Sequence, residues 1–556
     1  MAEPVGILGL VGVVDVCWKW GKKLVEICEA FKHADSQLNE DIFRLEARWL
    51  RIEDQLQMVR KMEPLLDDHH RGVQKRSLEV VLDKLQAVVS KLDGLIKKPD
   101  IAQGPVTEPQ VKKLKYAIFK DGLADSISEL EKWQQIFDPS WFLMLRIADP
   151  QVDSLLAAAA ADTAAPTAAQ RGLPSSTSLS AAQSMRRAIN STTADTKHRN
   201  IYLSLEGLVA GSICPVPFST ASTARRADNQ QSVLLDPVTC ASRISANAMI
   251  RDIRNFARRL RHADPSAFGL LECKGILKEE EGGEALAGTG ATRLFPAGLA
   301  FVFRLPATHS HVESLRGRLL GGADRVHDSL SERFVLARQM AVAVSYVHLY
   351  GFVHKNIRPE TILLCHPQLP RIRLSEGPGN AEAALETVAL VGFDVLREAE
   401  GKTSRKGDDD WEKNLYRHPQ RQGLSLDVDY EMRHDIYSLG VCLLEIGLWE
   451  SFVDCRAGSG APLIGPGLGI PDGEMSGAEL LKDPEWVKSC LLRLASGPLR
   501  RKMGTVYGKV VETCLTCLEK DNVDFGDEKE FQDEDGVAVG VRYIEKVVVR
   551  LGEITA

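Results

Sequence analysis

Four clusters in the sequence combine residue types that could do chemistry. Cys514-x-x-Cys517 has the spacing of half a zinc site, but no second pair of Cys or His follows to complete four ligands, so both thiols are expected to be buried in an apolar helix. Asp67-Asp68-His69-His70 supplies metal-ligand types and is expected to be an exposed interhelical loop. The acidic run Asp521 to Asp535 would place Val523, Phe525 and Gln532 where a calcium loop needs oxygen ligands, so a solvated charge run is expected. The fourth cluster is dispersed: His354-Lys355-Asn356-Ile357-Arg358-Pro359-Glu360-Thr361, then Val391-Gly392-Phe393-Asp394, then Asp435-Ile436-Tyr437-Ser438-Leu439-Gly440. Its polar groups can meet only if a fold brings them together.

Positioning them requires a core, and the composition allows one. The 556 residues are 44% hydrophobic and 26% charged, which suggests two to four domains at roughly 150 residues each. The net charge of −7 argues against a nucleic-acid binder, so no nucleic-acid partner is expected. Eleven scattered cysteines fit free thiols in a reducing compartment, and a cytoplasmic location is expected.

Residues 1–150 read as helical. Ile42, Leu45, Trp49, Ile52, Leu56 and Val59 recur at alternating spacings of three and four, as do Leu78, Val81, Leu85, Val88, Leu92 and Leu95. That period predicts a bundle-type seam. Pro64 and Gly104-Pro105 punctuate the helices, and a further segment carries Leu123, Ile127 and Leu130 and is expected to end near Asp138-Pro139. With the N-terminal segment this makes a four-helix bundle.

The N-terminal apolar run contains Val5, Ile7, Leu8, Leu10, Val11, Val13, Val14 and Trp18. It is too short for a spanning helix, and Asp15 and Lys19 interrupt its extension. No basic residue precedes it, as a signal peptide would require. It is expected to be an apolar helix buried at rest that could enter a membrane after release.

Residues 151–200, rich in Ala, Ser and Thr, are expected to be a mobile linker with a short helical start. Residues 201–556 mix strands, as at Ile201–Leu205, Ser232–Leu235 and Leu299–Leu305, with helices near 331–350, 435–449 and 506–519. The segment Glu279–Thr292 reads as a loop insertion.

The dispersed cluster resembles the protein-kinase catalytic loop, the metal-binding turn and the following helix, in the family's order. The resemblance implies a bilobal α+β fold over 201–556, with lobes of about 201–305 and 306–556. It implies structural roles for His354, Pro359, Asp435 and Gly440. It also exposes losses. Asn356 stands where the family has its catalytic Asp, Thr361 where it has a metal-binding Asn, and Gly392 where it has a metal-binding Asp. The phrase Ser232-Val233-Leu234-Leu235-Asp236 carries no lysine. Asp394 is left as a weak metal-ligand candidate, and Asp252 as a stand-in for the family's helix glutamate without a lysine partner. Asp524-Phe525-Gly526 repeats a family tripeptide at the wrong place in the order and is read as chance. The expectation is a pseudokinase, not an enzyme, with ATP binding without catalysis left open; a divergent active Ser/Thr kinase is the alternative.

The N-terminal phrase EPVGILGLVGVVDVCWKW, with Leu114–Phe119 and Trp133–Phe142, resembles fungal HeLo and HeLo-like domains of the Het-S incompatibility system. The joined architecture is similar to that of mixed-lineage kinase domain-like proteins. These resemblances imply a cell-death effector that homo-oligomerises through its bundle, meets membrane lipids at the plasma membrane on activation, and answers an unknown upstream protein. A non-lytic scaffold dimerising through the bundle is the alternative.

Overall fold

The computed structural model describes residues 9–31, 36–95, 113–146 and 150–163, Ala182, Gln183 and Arg186, and most of 201–554; the longest omissions in the last range are 280–294, 368–385 and 527–536. The chain forms two compact units, Met1–Asn190 and Ser191–Ala556.

The first unit is helical: α1 Leu10–Phe31, α2 Ser36–Met62, α3 Asp68–Leu95, α4 Lys113–Leu143 and α5 Pro150–Thr163. The α2 seam is buried from Ile42 to Val59, and the α3 seam from Leu78 to Leu92. Helix α1 runs further toward the C-terminus than the apolar run implies, and it buries one face instead of its whole surface. Leu10, Val13, Val14, Cys17 and Leu24 face the core, while Val11 and Trp18 are half-buried and Asp15, Lys19 and Lys22 are exposed. Val5, Ile7 and Leu8 lie outside the described residues. Gly21 fixes the approach of α1 to α2, because a β-carbon there would overlap the Trp49 ring.

Two expectations are corrected in this unit. Asp67 and His70 are not a free loop: Asp67 accepts from the His70 amide at 2.7 Å and lies 2.8 Å from His70 Nδ1, and His70 is buried. This caps the start of α3. Helix α4 continues through Pro139 to Leu143. Asp138 is held there by Arg51 at 2.5 Å and Gln55 at 2.6 Å, and burial of Trp141 and Phe142 outweighs the lost backbone bond. The short helical start expected after residue 150 is α5, which holds Ala157–Ala161 and packs through buried Val152 and Leu156. Alanine is the strongest helix former, and Arg186 ties back to Asp153 at 3.0 Å.

The second unit opens with a six-stranded sheet in the order β1-β5-β6-β4-β3-β2: β1 Tyr202–Leu203, β2 Cys214–Pro215, β3 Ser222–Arg225, β4 Ser232–Pro237, β5 Cys273–Lys278 and β6 Leu299–Arg304. All pairings are antiparallel except β1 with β5. Helix α6, Ala246–Arg259, joins β4 to β5 and packs against the sheet through Ile253, Phe256 and Ala257. A small sheet follows in the order β10-β9-β7, from β7 His309–Ser314, β9 Ile362–Pro367 and β10 Thr387–Leu390; the short β8 is Phe352–Val353. The helices that follow include α7 Leu315–Leu320, α8 Leu330–Leu349, α9 Met432–Leu448, α10 Pro484–Leu494 and α11 Arg500–Leu515, the last kinked at Gly504.

Helix α9 is buried on all sides. Gly440 lets it touch α11, since a β-carbon would come within 2.7 Å of Cys514 Cβ. Cys514 and Cys517 are buried as expected, and burial pushes the Cys517 thiol up to about 12. The start of the acidic run is a packed turn instead of a solvated one. Phe525 is fully buried, Asn522 Oδ1 accepts from the Asp524 and Phe525 amides, and Asp524 pairs with Lys546 at 3.4 Å. An Asx turn and one aromatic anchor outweigh the local charge.

Candidate functional site

The dispersed cluster converges where the first turn of α9, the loop after β8 and the turn after β10 meet. Asp435 organises it. Its buried carboxylate accepts from the amides of His354 at 2.7 Å and Lys355 at 2.9 Å and from the Tyr430 hydroxyl at 2.6 Å, and it lies 3.1 Å from His348 Nε2. Burial alone would raise its pKa; the bonds and charges around it outweigh that and hold it below the usual carboxylate value. His354 receives the Asn356 amide on Nδ1 at 3.2 Å, which leaves Nε2–H to donate to Val391 O at 3.0 Å.

An aromatic column runs from the sheet region to this loop. Phe256 of α6 meets Phe393 at 4.6 Å between ring centroids, and Phe393 meets His354 at 4.8 Å. Phe301 of β6 packs edge-on to both Phe256 and Phe393.

Asn356, Thr361 and Gly392 lie side by side. Asn356 Nδ2 donates to Gly392 O at 3.3 Å, and its Oδ1 accepts from Arg358 Nε at 2.9 Å. An amide has no basic lone pair near neutrality, and both ends of this one are engaged. Thr361 Oγ1 donates to backbone oxygens of Asn356 and Arg358 and accepts from the Arg358 amide. Pro359 and Thr361 are buried in the same turn. Gly392 has φ +83°. A β-carbon there would overlap Cγ2 of Thr361, so the methyl group fills the space of a side chain at 392.

Asp236 closes the arrangement from the sheet side. It is fully buried at the end of β4, and its Oδ2 accepts from the amides of Gly392 at 2.9 Å and Phe393 at 3.2 Å. Sequence reasoning noted only that the β4 phrase lacks a lysine and missed this role. The available signal was a carboxylate inside an apolar strand, which demands partners when buried. Asp252 is buried on α6 and lies 3.4 Å from Arg251 of the same helix. Asp394 lies outside the described residues.

Two further features were not legible beforehand. Ser314, the N-cap of α7, accepts from the Gly317 amide and donates to Pro217 O at 2.7 Å. This ties the β2–β3 turn, where Phe218 has φ +55°, to the junction of β7 and α7. Arg316 is wholly buried between Glu360 at 3.0 Å and Glu445 at 2.9 Å, with Tyr416 bonded to both Arg316 and Glu445. Burial alone would raise Glu360, but Arg316 and Arg358 hold it below the usual carboxylate value.

Over 177 residues the chain is 28% identical to a probable cell division protein kinase of Encephalitozoon cuniculi, a match covering 32% of this chain and 48% of that protein. The chain thus spans about half the length of this curated relative. No protein-family model matches it. Weak protein-kinase similarity therefore accompanies a chain with a helical N-terminal region and a sheet-containing C-terminal region.

Proposed function

We propose that this chain is a pseudokinase: a kinase-like module that signals without transferring phosphate and controls a helical bundle. The observation that carries the reading is Asp236. Where a phosphate-binding lysine would be needed, a buried carboxylate bonds the backbone of the Gly392-Phe393 turn. A negative group there repels the phosphates of ATP. The neutral Asn356 lacks the carboxylate that would accept a hydroxyl proton. Gly392 and Thr361 offer no carboxylate for magnesium, and their packing supports a turn adapted to its own contacts.

The bundle is its output in this reading. On a signal to the second unit, α1 leaves its place and the bundle oligomerises on a membrane as a cell-death effector of HeLo type. Among the described residues no helix is long and apolar enough to cross a membrane, so the reading requires association of several bundles at the lipid surface.

The test is the thermal unfolding of the full chain with saturating Mg-ATP. A ligand at 100 times its Kd would stabilise by about 2.7 kcal/mol, a shift of several degrees. No shift is expected. A shift, together with transfer of labelled phosphate to a generic substrate, would replace the proposal with a divergent kinase.

A further inference from the structure

His311, Glu313 and His366 form a cluster apart from the site above. Strand β7 pairs antiparallel with β9, and the register sets His311 directly opposite His366. Glu313 lies two residues beyond His311, so the alternation of the strand puts all three on one face. The imidazole rings stack at 5.4 Å between centroids. The ligand atoms of the three residues lie within 4.8 Å of one another. Among the described residues this is the one His/Cys/Asp/Glu group that converges in this way.

The surroundings of His366 favour a ligand role. Its Nδ1 lies 2.9 Å from Glu386 Oε1, and its Nε2 lies 2.9 Å from Glu313 Oε1. A carboxylate on the far nitrogen is the arrangement that orients a metal-ligating imidazole. Glu313 is nearly buried, and His311 is exposed, which leaves the ion a route in. Arg318 Nη1 also contacts Glu313 at 2.7 Å and Glu386 at 3.5 Å. It cancels one of the two carboxylate charges and holds both in place, so the imidazoles must supply much of the affinity. Two imidazoles and one carboxylate suit zinc or a neighbouring transition metal and not magnesium or calcium, which prefer all-oxygen sites.

We propose that His311, Glu313 and His366 bind one divalent transition-metal ion, with zinc as the fitting class, and that Glu386 orients His366. The ion would pin β7 to β9 and keep an open position toward solvent. This site does not depend on whether the chain is a pseudokinase.

The test uses the full chain, stripped with a chelator and titrated with Zn²⁺ by calorimetry, then with Co²⁺ by absorption spectroscopy. One ion per chain is expected, with cobalt d–d bands and no thiolate charge-transfer band. His311→Ala, at an exposed position, and His366→Gln should each weaken binding more than about 100-fold, and Glu386→Gln by about 10–100-fold. The folded state of each variant is checked by circular dichroism, and His311→Ala alone decides the matter if His366→Gln fails to fold. Failure of the wild type to bind, a thiolate band, or equal affinity in His311→Ala would overturn the proposal. A purely structural His366 ion pair predicts the first of these.

Discussion

Cγ2 of Thr361 occupies the space that a side chain on Gly392 would need. The two positions are therefore coupled: a residue with a β-carbon at 392 requires a smaller one at 361, as well as tolerance of φ +83°. Gly392→Ala should destabilise the second unit by about 2–3 kcal/mol, from overpacking and left-handed strain together. Thr361→Ser keeps the hydroxyl bonds and removes the methyl, so the double variant should recover about 1 kcal/mol. Urea unfolding of the four proteins reads this coupling directly, and strict additivity would show that the methyl group is not the obstacle.

Asp236 supplies the acceptor for two buried amides. Asp236→Leu leaves both without it and should cost about 2–6 kcal/mol, from roughly 1–3 kcal/mol for each amide. Asp236→Lys should not create ATP binding, because Asn356, Thr361 and Gly392 are unchanged. Chemical denaturation measures the first effect and nucleotide titration the second.

Arg316 stands between two buried carboxylates. Arg316→Met should destabilise by about 3–5 kcal/mol, since Glu360 and Glu445 lose their common cation. Adding Glu360→Gln and Glu445→Gln should return part of that loss. No recovery in thermal unfolding would mean that packing around the guanidinium, not charge, is the main contribution.

His418 and His434 set an acid limit. Burial, with Lys488 beside His418 and Arg421 near His434, holds each down to about 3. Lys488 Nζ lies 3.1 Å from His418 Nε2, so the neutral ring faces an ammonium group. Unfolded histidine takes a proton near 6.5, so the unfolded state binds more protons between about 3 and 6.5. Stability then falls as pH drops through that window, by roughly 2 kcal/mol per histidine at pH 5. His418→Gln should flatten the profile between pH 7 and 5 in denaturant titrations. An unchanged slope would place the acid sensitivity elsewhere.

Helix α1 is held by its apolar face and by ion pairs that are largely exposed, Lys23 with Asp93 and Arg60 with Asp15. Exposed pairs contribute little, so the Gly21–Trp49 approach is the contact to disturb. Deleting residues 1–20 would remove Leu10, Val13, Val14 and Cys17 from the core and should unfold the bundle, which makes it a poor test of membrane action. Gly21→Val should instead push α1 off α2. Dye release from anionic liposomes is expected from the Gly21→Val chain and not from the wild type. Silence from both, with the bundle still helical, would favour a non-lytic scaffold.

The sequence by itself determined what is periodic or local. The three-four spacing from Ile42 to Val59 specified a buried seam because a helix returns to the same face every seven residues or so. The identities at 356, 361 and 392 excluded a carboxylate from each position without any structure. The Asx geometry at Asn522 was also a local signal, but the charge around it obscured it. Only the tertiary structure decided which distant groups meet. Asp236 and Gly392 are 156 residues apart, Ser314 and Pro217 are 97 apart, and Arg316 and Glu445 are 129 apart. No spacing rule joins such pairs. The reason is burial: a polar group carried into the core by its strand or helix must find a partner there, and the packing of the elements selects which one.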